Sequence, residues 1–197
     1  MVIVMKTTRR YTMTARAEAV ERTRRRLLEA TVTLAETHLV SQISLEDIAA
    51  TAGVSVQTLL RHFGSRAGLV DAARQHALAT VGEERRTPVG DPDAAVRTVL
   101  QHYERRGDTV LTMLAQEQVD APTREVTDAG RAFHRSWVEE VFGPLLPDDP
   151  AEREERVDLL VVATDVYTWK LLRRDRGLSA TATEGRVRAM VRALLRS

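Results

Sequence analysis

Residues 44–70 read S-L-E-D-I-A-A-T-A-G-V-S-V-Q-T-L-L-R-H-F-G-S-R-A-G-L-V, and this stretch decides the fold. Ser44 is suited to cap a helix because its hydroxyl can accept a free backbone N–H, and Asp47 follows three residues later, as in a capping box. Gly53 supplies the positive φ of a sharp turn, and Ser55 can cap a second helix. The pattern predicts two short helices joined by a tight turn. The alternative is a helical hairpin inside a core, with one solvated polar face.

The second predicted helix has an apolar side and a polar side. Leu59 and Phe63 lie four residues apart, so they share one face of a helix. Gln57 and Arg61 lie on the remaining surface and carry the amide and guanidinium groups that read bases in the major groove. With a preceding helix from about Arg16 to His38, three helices would share a core, which predicts a helix-turn-helix domain. The predicted core residues are Leu27, Leu34, Ile48, Leu59 and Phe63.

The pattern D-I-A-x-x-A-G-V-S-x-x-T-L-x-R-H-F-x-S-(K/R)-x-x-L runs from Asp47 to Leu69 without a gap. It resembles the DNA-binding signature of the TetR family of transcriptional regulators. The resemblance covers about the first third of the chain. Leu60 stands where the family usually has a tyrosine that contacts a phosphate, and Leu60 cannot donate that hydrogen bond. The resemblance implies a homodimeric repressor that binds a near-palindromic DNA operator and is released by a small-molecule effector.

The resemblance and the geometry of helix-turn-helix docking together imply two groups of DNA-binding residues. The first group would face bases: Val56, Gln57 and Arg61. The second would contact phosphates: Ser44, Ser55, Thr58, His62 and Arg66. Phosphate contact by one or two of the arginines at 22 and 24–26 is also expected, and the alternative for these is a solvated face.

Charge is distributed unevenly along the 197 residues. The net charge is +1, but residues 1–66 hold ten Lys and Arg against six Asp and Glu, and the remainder is acidic. A basic front and an acidic body are typical of a DNA-reading end joined to something else. The chain has no cysteine, and no apolar run is long enough to span a bilayer. We therefore expect a cytoplasmic protein without membrane contact.

Helical periodicity continues to the C-terminus and predicts an all-α chain of about nine helices. We expect a flexible basic arm over residues 1–15, a helix-turn-helix DNA-binding domain over 16–65, and a helical ligand-binding and dimerisation domain over 66–197. Within that second domain, Gly107 is expected to end one helix and Asp108 to begin the next.

The body offers candidates for an effector pocket, because ligand sites are mostly apolar with a few polar anchors. Glu117 and Asp165 carry the argument, since a carboxylate buried without a partner is costly. The candidates are Tyr103, Met113, Glu117, Phe133, His134, Trp137, Asp165 and Tyr167. The alternative is an ordinary helical core.

The last two predicted helices carry more apolar side chains than one small domain needs. In the family these helices form a four-helix bundle with their copies in a second subunit. The expected dimer contacts are Trp169, Leu172, Val187, Met190 and Leu194, and the alternative is that they only complete a monomer core.

Motifs of catalysis are missing from the sequence: it has no G-x-S-x-G, no glycine-rich phosphate loop and no H-E-x-x-H. We expect no enzyme activity, no cofactor and no metal site. The alternative to a ligand-responsive regulator is a helical DNA-binding or scaffolding protein with no small-molecule effector.

Overall fold

The computed structural model describes residues 7–196, and these form nine α-helices and no strand. The prediction of an all-α chain with about nine helices is confirmed. The helices are α1 (Thr7–Ala35), α2 (Leu45–Ala52), α3 (Val56–Phe63), α4 (Arg66–Glu84), α5 (Pro92–Gln116), α6 (Ala121–Phe142), α7 (Pro150–Ala163), α8 (Val166–Lys170) and α9 (Ala180–Leu194). Short 3₁₀ turns lie at Val40–Gln42 and Gly143–Leu145, and a π-helical turn at Leu171–Asp175 follows α8.

The chain divides into two compact units, residues 1–77 and residues 78–197. The division falls inside α4, whereas the sequence placed the boundary between residues 65 and 66. The reason is that the first half of α4 supplies Leu69 and Ala73 to the core of the first unit. A helix that continues without a break hides such a boundary from sequence patterns.

The first unit is a three-helix domain completed by the start of α4. Its core contains Leu27, Leu28, Ala30, Ile43, Ile48, Ala49, Ala52, Leu59, Leu69 and Ala73, with Leu34 and Phe63 partly buried against it. Helix α1 begins at Thr7 rather than near Arg16, so residues 7–15 are helical and the predicted flexible arm is wrong for them. No proline or glycine interrupts these residues, so the helix extends past the point where apolar periodicity ends. Residues 1–6 of the predicted arm lie outside the described part of the chain.

The second unit packs α5 to α9 around one apolar core, whose largest fully buried side chains include Trp169 and Phe142. Helix α5 runs through Gly107, which was expected to end a helix. A β-carbon at Gly107 would lie 2.6 Å from Cη2 of Trp169, so the glycine provides space for the indole ring. The glycine therefore serves helix packing and not helix termination.

Two of the residues expected at a dimer interface lie in this core. Trp169 and Val187 are fully buried within one protomer, and their prediction as partner contacts is wrong. Leu172 and Leu194 are partly buried against the same core, and Met190 is exposed. Among the described residues, no helix is long and apolar enough to cross a membrane.

Candidate functional site

The turn between α2 and α3 is held by the local contacts that its sequence predicts. The Ser44 hydroxyl accepts a hydrogen bond from the Asp47 backbone N–H (3.0 Å), and the Asp47 carboxylate accepts one from the Ser44 N–H (3.2 Å). The Ser44 hydroxyl also donates to the Asp47 carboxylate (2.5 Å), and this bond, followed by the one from the Ser44 N–H, lowers the pKa of Asp47. Gly53 has φ of 66°, in the left-handed region, and Ser55 caps α3 through the Thr58 N–H (3.2 Å). The helix-turn-helix geometry is therefore specified locally.

Helix α3 presents one exposed stripe. Gln57, Leu60 and Arg61 are exposed and stand three and four residues apart, which places them on one side of the helix. Leu59 is fully buried on the opposite side. Val56, one of the three residues expected at the bases, is only partly exposed, as are Thr58 and His62. The stripe offers one amide and one guanidinium with an exposed apolar side chain beside them.

Two arginines of α1 lie beside this motif. The Arg24 guanidinium stacks over the Phe63 ring, 5.3 Å from its centroid. Arg26 lies next to the turn, since a β-carbon at Gly53 would be 3.9 Å from its Nη1. The sequence showed only a cluster of arginines, and the packing of α1 is what singles out these two.

The Arg66 side chain forms its hydrogen bonds within the first unit. Its guanidinium donates to the backbone carbonyls of Val40 and Ile43, with Nε 3.3 Å from the Ile43 oxygen. Arg66 therefore fixes the turn before α2 to the start of α4, and this is the role that the geometry supports.

Two other residues expected to contact phosphates lie together at the start of α3. The Ser55 hydroxyl is 3.0 Å from the Thr58 hydroxyl.

The second unit contains a cavity of about 240 Å³ between the end of α4, the segment that follows it, and α6. Its lining is half apolar and half polar: Gly82, Glu83, Arg85, Arg86, Thr87, Phe133, Ser136, Trp137, Glu140 and Val141. Of the residues expected in a pocket, Phe133 and Trp137 line it and the others do not.

Arg85 is the residue that sequence reasoning missed. It is only 5% exposed, and its guanidinium carbon lies 5.1 Å from the centroid of the Tyr103 ring and 5.8 Å from those of Phe133 and Trp137. Its Nη1 is 3.0 Å from Nδ1 of His134. In sequence, Arg85 sits in a polar E-E-R-R run, which is typical of a solvated helix end, so no local signal marks it as buried.

The neighbouring residues hold Arg85 in position. Glu84 accepts hydrogen bonds from Arg106 (Nη2, 2.8 Å) and pairs with Nδ1 of His102 (2.9 Å), and chiefly the bond from Arg106 lowers the pKa of Glu84 to about 2. The Trp137 indole N–H donates to the Arg85 carbonyl at 3.0 Å. Both contacts tie the end of α4 to the body of the unit.

The imidazole of His134 is neutral. A guanidinium can only donate, so Nδ1 of His134 must accept from Arg85 and the ring proton is on Nε2. That nitrogen faces the Thr164 hydroxyl (3.2 Å) and the Val161 carbonyl (3.4 Å). Burial and then the charge of Arg85 lower the pKa of His134 to about 3.

The two carboxylates that motivated the predicted pocket have other functions. Glu117 pairs with Arg131 (2.7 Å) and accepts from the Thr127 hydroxyl (2.6 Å), and these bonds lower its pKa. Asp165 caps α8 by accepting from the Tyr167 N–H (2.8 Å), although burial raises its pKa. Glu117 therefore has the partners that a buried acid needs, whereas Asp165 keeps the pKa raised by burial, and neither lines the cavity.

Tyr167 is 55% exposed, and its prediction as a pocket residue is wrong. The phase of α8 explains this, because Val166 and Trp169 face the core and turn Tyr167 outward. Tyr103 is buried and donates to the Thr164 carbonyl (3.2 Å), and Met113 is partly buried on α5 away from the cavity lining. Within residues 7–196, no three His, Cys, Asp or Glu side chains come together in a way that would hold a metal ion.

Known proteins resemble this chain in sequence within the first unit and in fold along most of its length. The model of the tetR family of bacterial regulatory proteins matches residues 27–73. The HTH-type transcriptional repressor LfrR of Mycolicibacterium smegmatis is 38% identical over 94 residues, which is 46% of this chain and 49% of LfrR. The match thus spans about half the length of that relative.

Two solved structures share the fold along most of the chain. A tetR-family transcriptional regulator from Streptomyces coelicolor superposes with a TM-score of 0.62 over 88% of this chain and 80% of its own, at 20% identity. A transcriptional regulator from Rhodococcus sp. Rha1 gives 0.62 over 88% and 96%, at 16% identity. At 16% and 20% identity, these two structures show a similarity of fold. The similarity to the family rests on the signature from Asp47 to Leu69 and on the match to the family model. The helix-turn-helix region of this chain, residues 27–73, is therefore similar to that of the tetR family of bacterial regulatory proteins.

Proposed function

We propose that this protein is a transcriptional regulator that reads DNA with α3. The observation that carries the proposal is the exposed stripe of α3, where Gln57 and Arg61 stand on a helix capped at a helix-turn-helix turn. Glutamine pairs with adenine and arginine with guanine in the major groove, and Val56 beside them would contact a thymine methyl group. Leu60 adds a second apolar side chain to this surface and gives no hydrogen bond to a phosphate.

Phosphate contacts would hold α3 in register. We assign them to Ser44, Ser55, Thr58 and His62 at the ends of α2 and α3, and we add Arg24 and Arg26 of α1, which lie beside the motif. Arg66 would act indirectly by fixing the turn before α2. Such contacts position the protein without specifying sequence and make binding depend on salt.

The regulator would act as a homodimer on a near-palindromic operator. Apolar side chains remain exposed on α7, on α8 and on the π-helical turn, among them Val162 (64% exposed) and Leu171, with Leu159 and Tyr167 nearby in sequence. We propose these four exposed residues as contacts with the second subunit in place of the buried Trp169 and Val187. Met190 of α9 remains among the proposed contacts. Two copies of α3 would enter successive major grooves about 34–36 Å apart.

An effector in the second unit would control release from DNA, and the regulator would then be a repressor. The support is the cavity of about 240 Å³ with its aromatic lining and buried charge. For release, the effector must bind the released form more tightly than the DNA-bound form. The second candidate is a DNA-binding or scaffolding protein without an effector. We assign the protein no catalytic activity and place it in the cytoplasm with the DNA that it would read.

Selection from a random duplex library at near-physiological salt tests DNA reading. We expect an inverted repeat, and Arg61→Ala should weaken binding to the selected site by about 1–3 kcal/mol and relax the preference at one position of each half-site. Arg74→Ala is the matched control, because Arg74 pairs with Asp71 on α4 and lies off the reading stripe. Steep salt dependence without any consensus would contradict sequence-specific regulation.

Light scattering tests the dimer. We expect Val162→Glu to give monomers, because a carboxylate in an apolar interface loses its hydration. Val119→Glu is the control, since Val119 is an exposed apolar residue outside α7 and α8. A wild-type monomer, or a Val162→Glu dimer as stable as that of the wild type, would refute the proposed interface.

A further inference from the structure

A buried guanidinium without an acidic partner borders the cavity of the second unit. Arg85 lines the cavity, and among the described residues no carboxylate forms an ion pair with it. Its Nε has no hydrogen-bond partner. Buried charges in proteins are normally paired, because an unpaired one loses its hydration without compensation. The three surrounding rings offset only part of that loss.

A second unsatisfied polar atom lines the same cavity. The Thr87 hydroxyl is buried and has no partner. Four buried side-chain atoms among the described residues lack a partner, and two of them belong to residues that line this cavity. Unsatisfied buried groups are uncommon in native structures, so their occurrence together at one cavity indicates a site built to receive a ligand.

The acids near Arg85 are engaged elsewhere or exposed. Asp165 influences Arg85 electrostatically but its carboxylate caps α8. Glu83 pairs with Arg86 (2.7 Å), and Glu140 is exposed at the rim, where water and salt screen its charge. His134 accepts from Arg85 as a neutral ring and adds no charge of its own. Arg85 is therefore the one buried charge of the described lining without an ion pair, and only the longer-range attraction of Asp165 offsets it.

We propose that this cavity binds a small monocarboxylate with an apolar or aromatic body, whose carboxylate pairs with Arg85. A guanidinium binds a carboxylate through two parallel hydrogen bonds, and the Thr87 hydroxyl can donate another. A single cation without an ion pair suits a monoanion better than a phosphate dianion. An engineered cavity of about 150 Å³ holds benzene, so about 240 Å³ accommodates a ring with a carboxylate. Phe133 and Trp137 would pack against that body.

This inference rests on the proposed function only in naming the carboxylate as the effector. The test measures binding by calorimetry to the full-length protein with benzoate, phenylacetate and hexanoate, each against its neutral amide. We expect at least one carboxylate to bind at least about tenfold more tightly than its amide, as is usual for charge-assisted hydrogen bonds. Arg85→Met should lose at least about tenfold in that affinity, while Arg97→Met, which removes an exposed arginine of α5, should not.

The unfolding midpoint without ligand gives a second measurement. Arg85→Met should be as stable as the wild type or more stable, since it replaces an unpaired buried charge with an apolar chain of similar length. If that variant does not fold, Ser136→Trp, at an exposed position of the lining, should block binding without changing Arg85.

Three outcomes would overturn the proposal: no carboxylate binds, the amides bind equally well, or Arg85→Met keeps the affinity. DNA binding is scored separately. If an operator is selected but no carboxylate binds, the proposed DNA-binding regulator is supported and carboxylates are excluded as its ligands. If a carboxylate binds but no operator is selected, the proposed ligand class is supported and sequence-specific regulation is excluded.

Discussion

Acidification should destabilise this protein through one imidazole, that of His134. Its Nδ1 accepts from Arg85, so a second ring proton would place two donors and two positive charges against each other at 3.0 Å. The pKa of His134 is lowered to about 3 by burial and by Arg85, against an ordinary value of 6.5. Between these values the unfolded chain binds a proton that the folded protein does not. Stability therefore falls as the pH drops below 6.5.

The size of this effect follows from linkage. Between pH 7 and pH 5 the folded His134 stays neutral while the unfolded one becomes charged, which removes about 2 kcal/mol from the free energy of unfolding. His134→Asn should abolish that contribution, because the asparagine Oδ1 can still accept from Arg85 but does not titrate. His102 also has a lowered pKa, about 4, for which burial is the largest cause. Its contribution is shared by both proteins and cancels in the comparison.

Urea unfolding followed by tryptophan fluorescence measures this effect. Both tryptophans, Trp137 and Trp169, lie in the second unit, so the signal reports the unit that contains His134. Free energies should be compared rather than emission intensities, because His134 stacks on Trp137 with ring centroids 5.8 Å apart. The wild type should lose about 2 kcal/mol more than His134→Asn between pH 7 and pH 5.

Val138→Ala is the matched control for general weakening. Val138 is fully buried on the same helix, so its truncation lowers stability without removing a titratable group. It should keep the wild-type pH dependence. Equal losses in wild type and His134→Asn would refute the reasoning and would mean that His134 takes up its proton in the folded state.

Two further predictions concern packing and capping. Gly107→Ala should destabilise the second unit by about 1–3 kcal/mol, because the new methyl group meets the Trp169 ring. Gly130→Ala, which has nothing within 4 Å of the new β-carbon, should stabilise α6 by up to about 1 kcal/mol. Urea unfolding measures both changes, and equal effects would contradict the close approach of Gly107 to Trp169. Ser44→Ala should cost the first unit about 1 kcal/mol by removing the cap on the Asp47 N–H, measured by circular dichroism, and an unchanged midpoint would refute a stabilising cap.

The helix-turn-helix motif was predictable because its signals are local. Ser44 and Ser55 cap helices that begin one residue later, and Gly53 has the positive φ that its position required. Each of these features depends on a few consecutive residues, so the spacing of those residues in the sequence is enough to predict it. The same spacing placed Gln57 and Arg61 on one side of α3, opposite Leu59.

The cavity of the second unit depends on contacts between distant segments. Arg85 meets Tyr103 of α5 and Phe133 and His134 of α6, two other parts of the chain, and its burial has no local cause. Hydrophobic periodicity identified Trp169 as buried, but a buried face looks the same whether its own chain or a second subunit covers it. Sequence thus determined the helices and the helix-turn-helix motif, whose causes are local hydrogen bonds and helical phase. Only tertiary packing decided which charges are buried, since burial is a property of everything that surrounds a side chain.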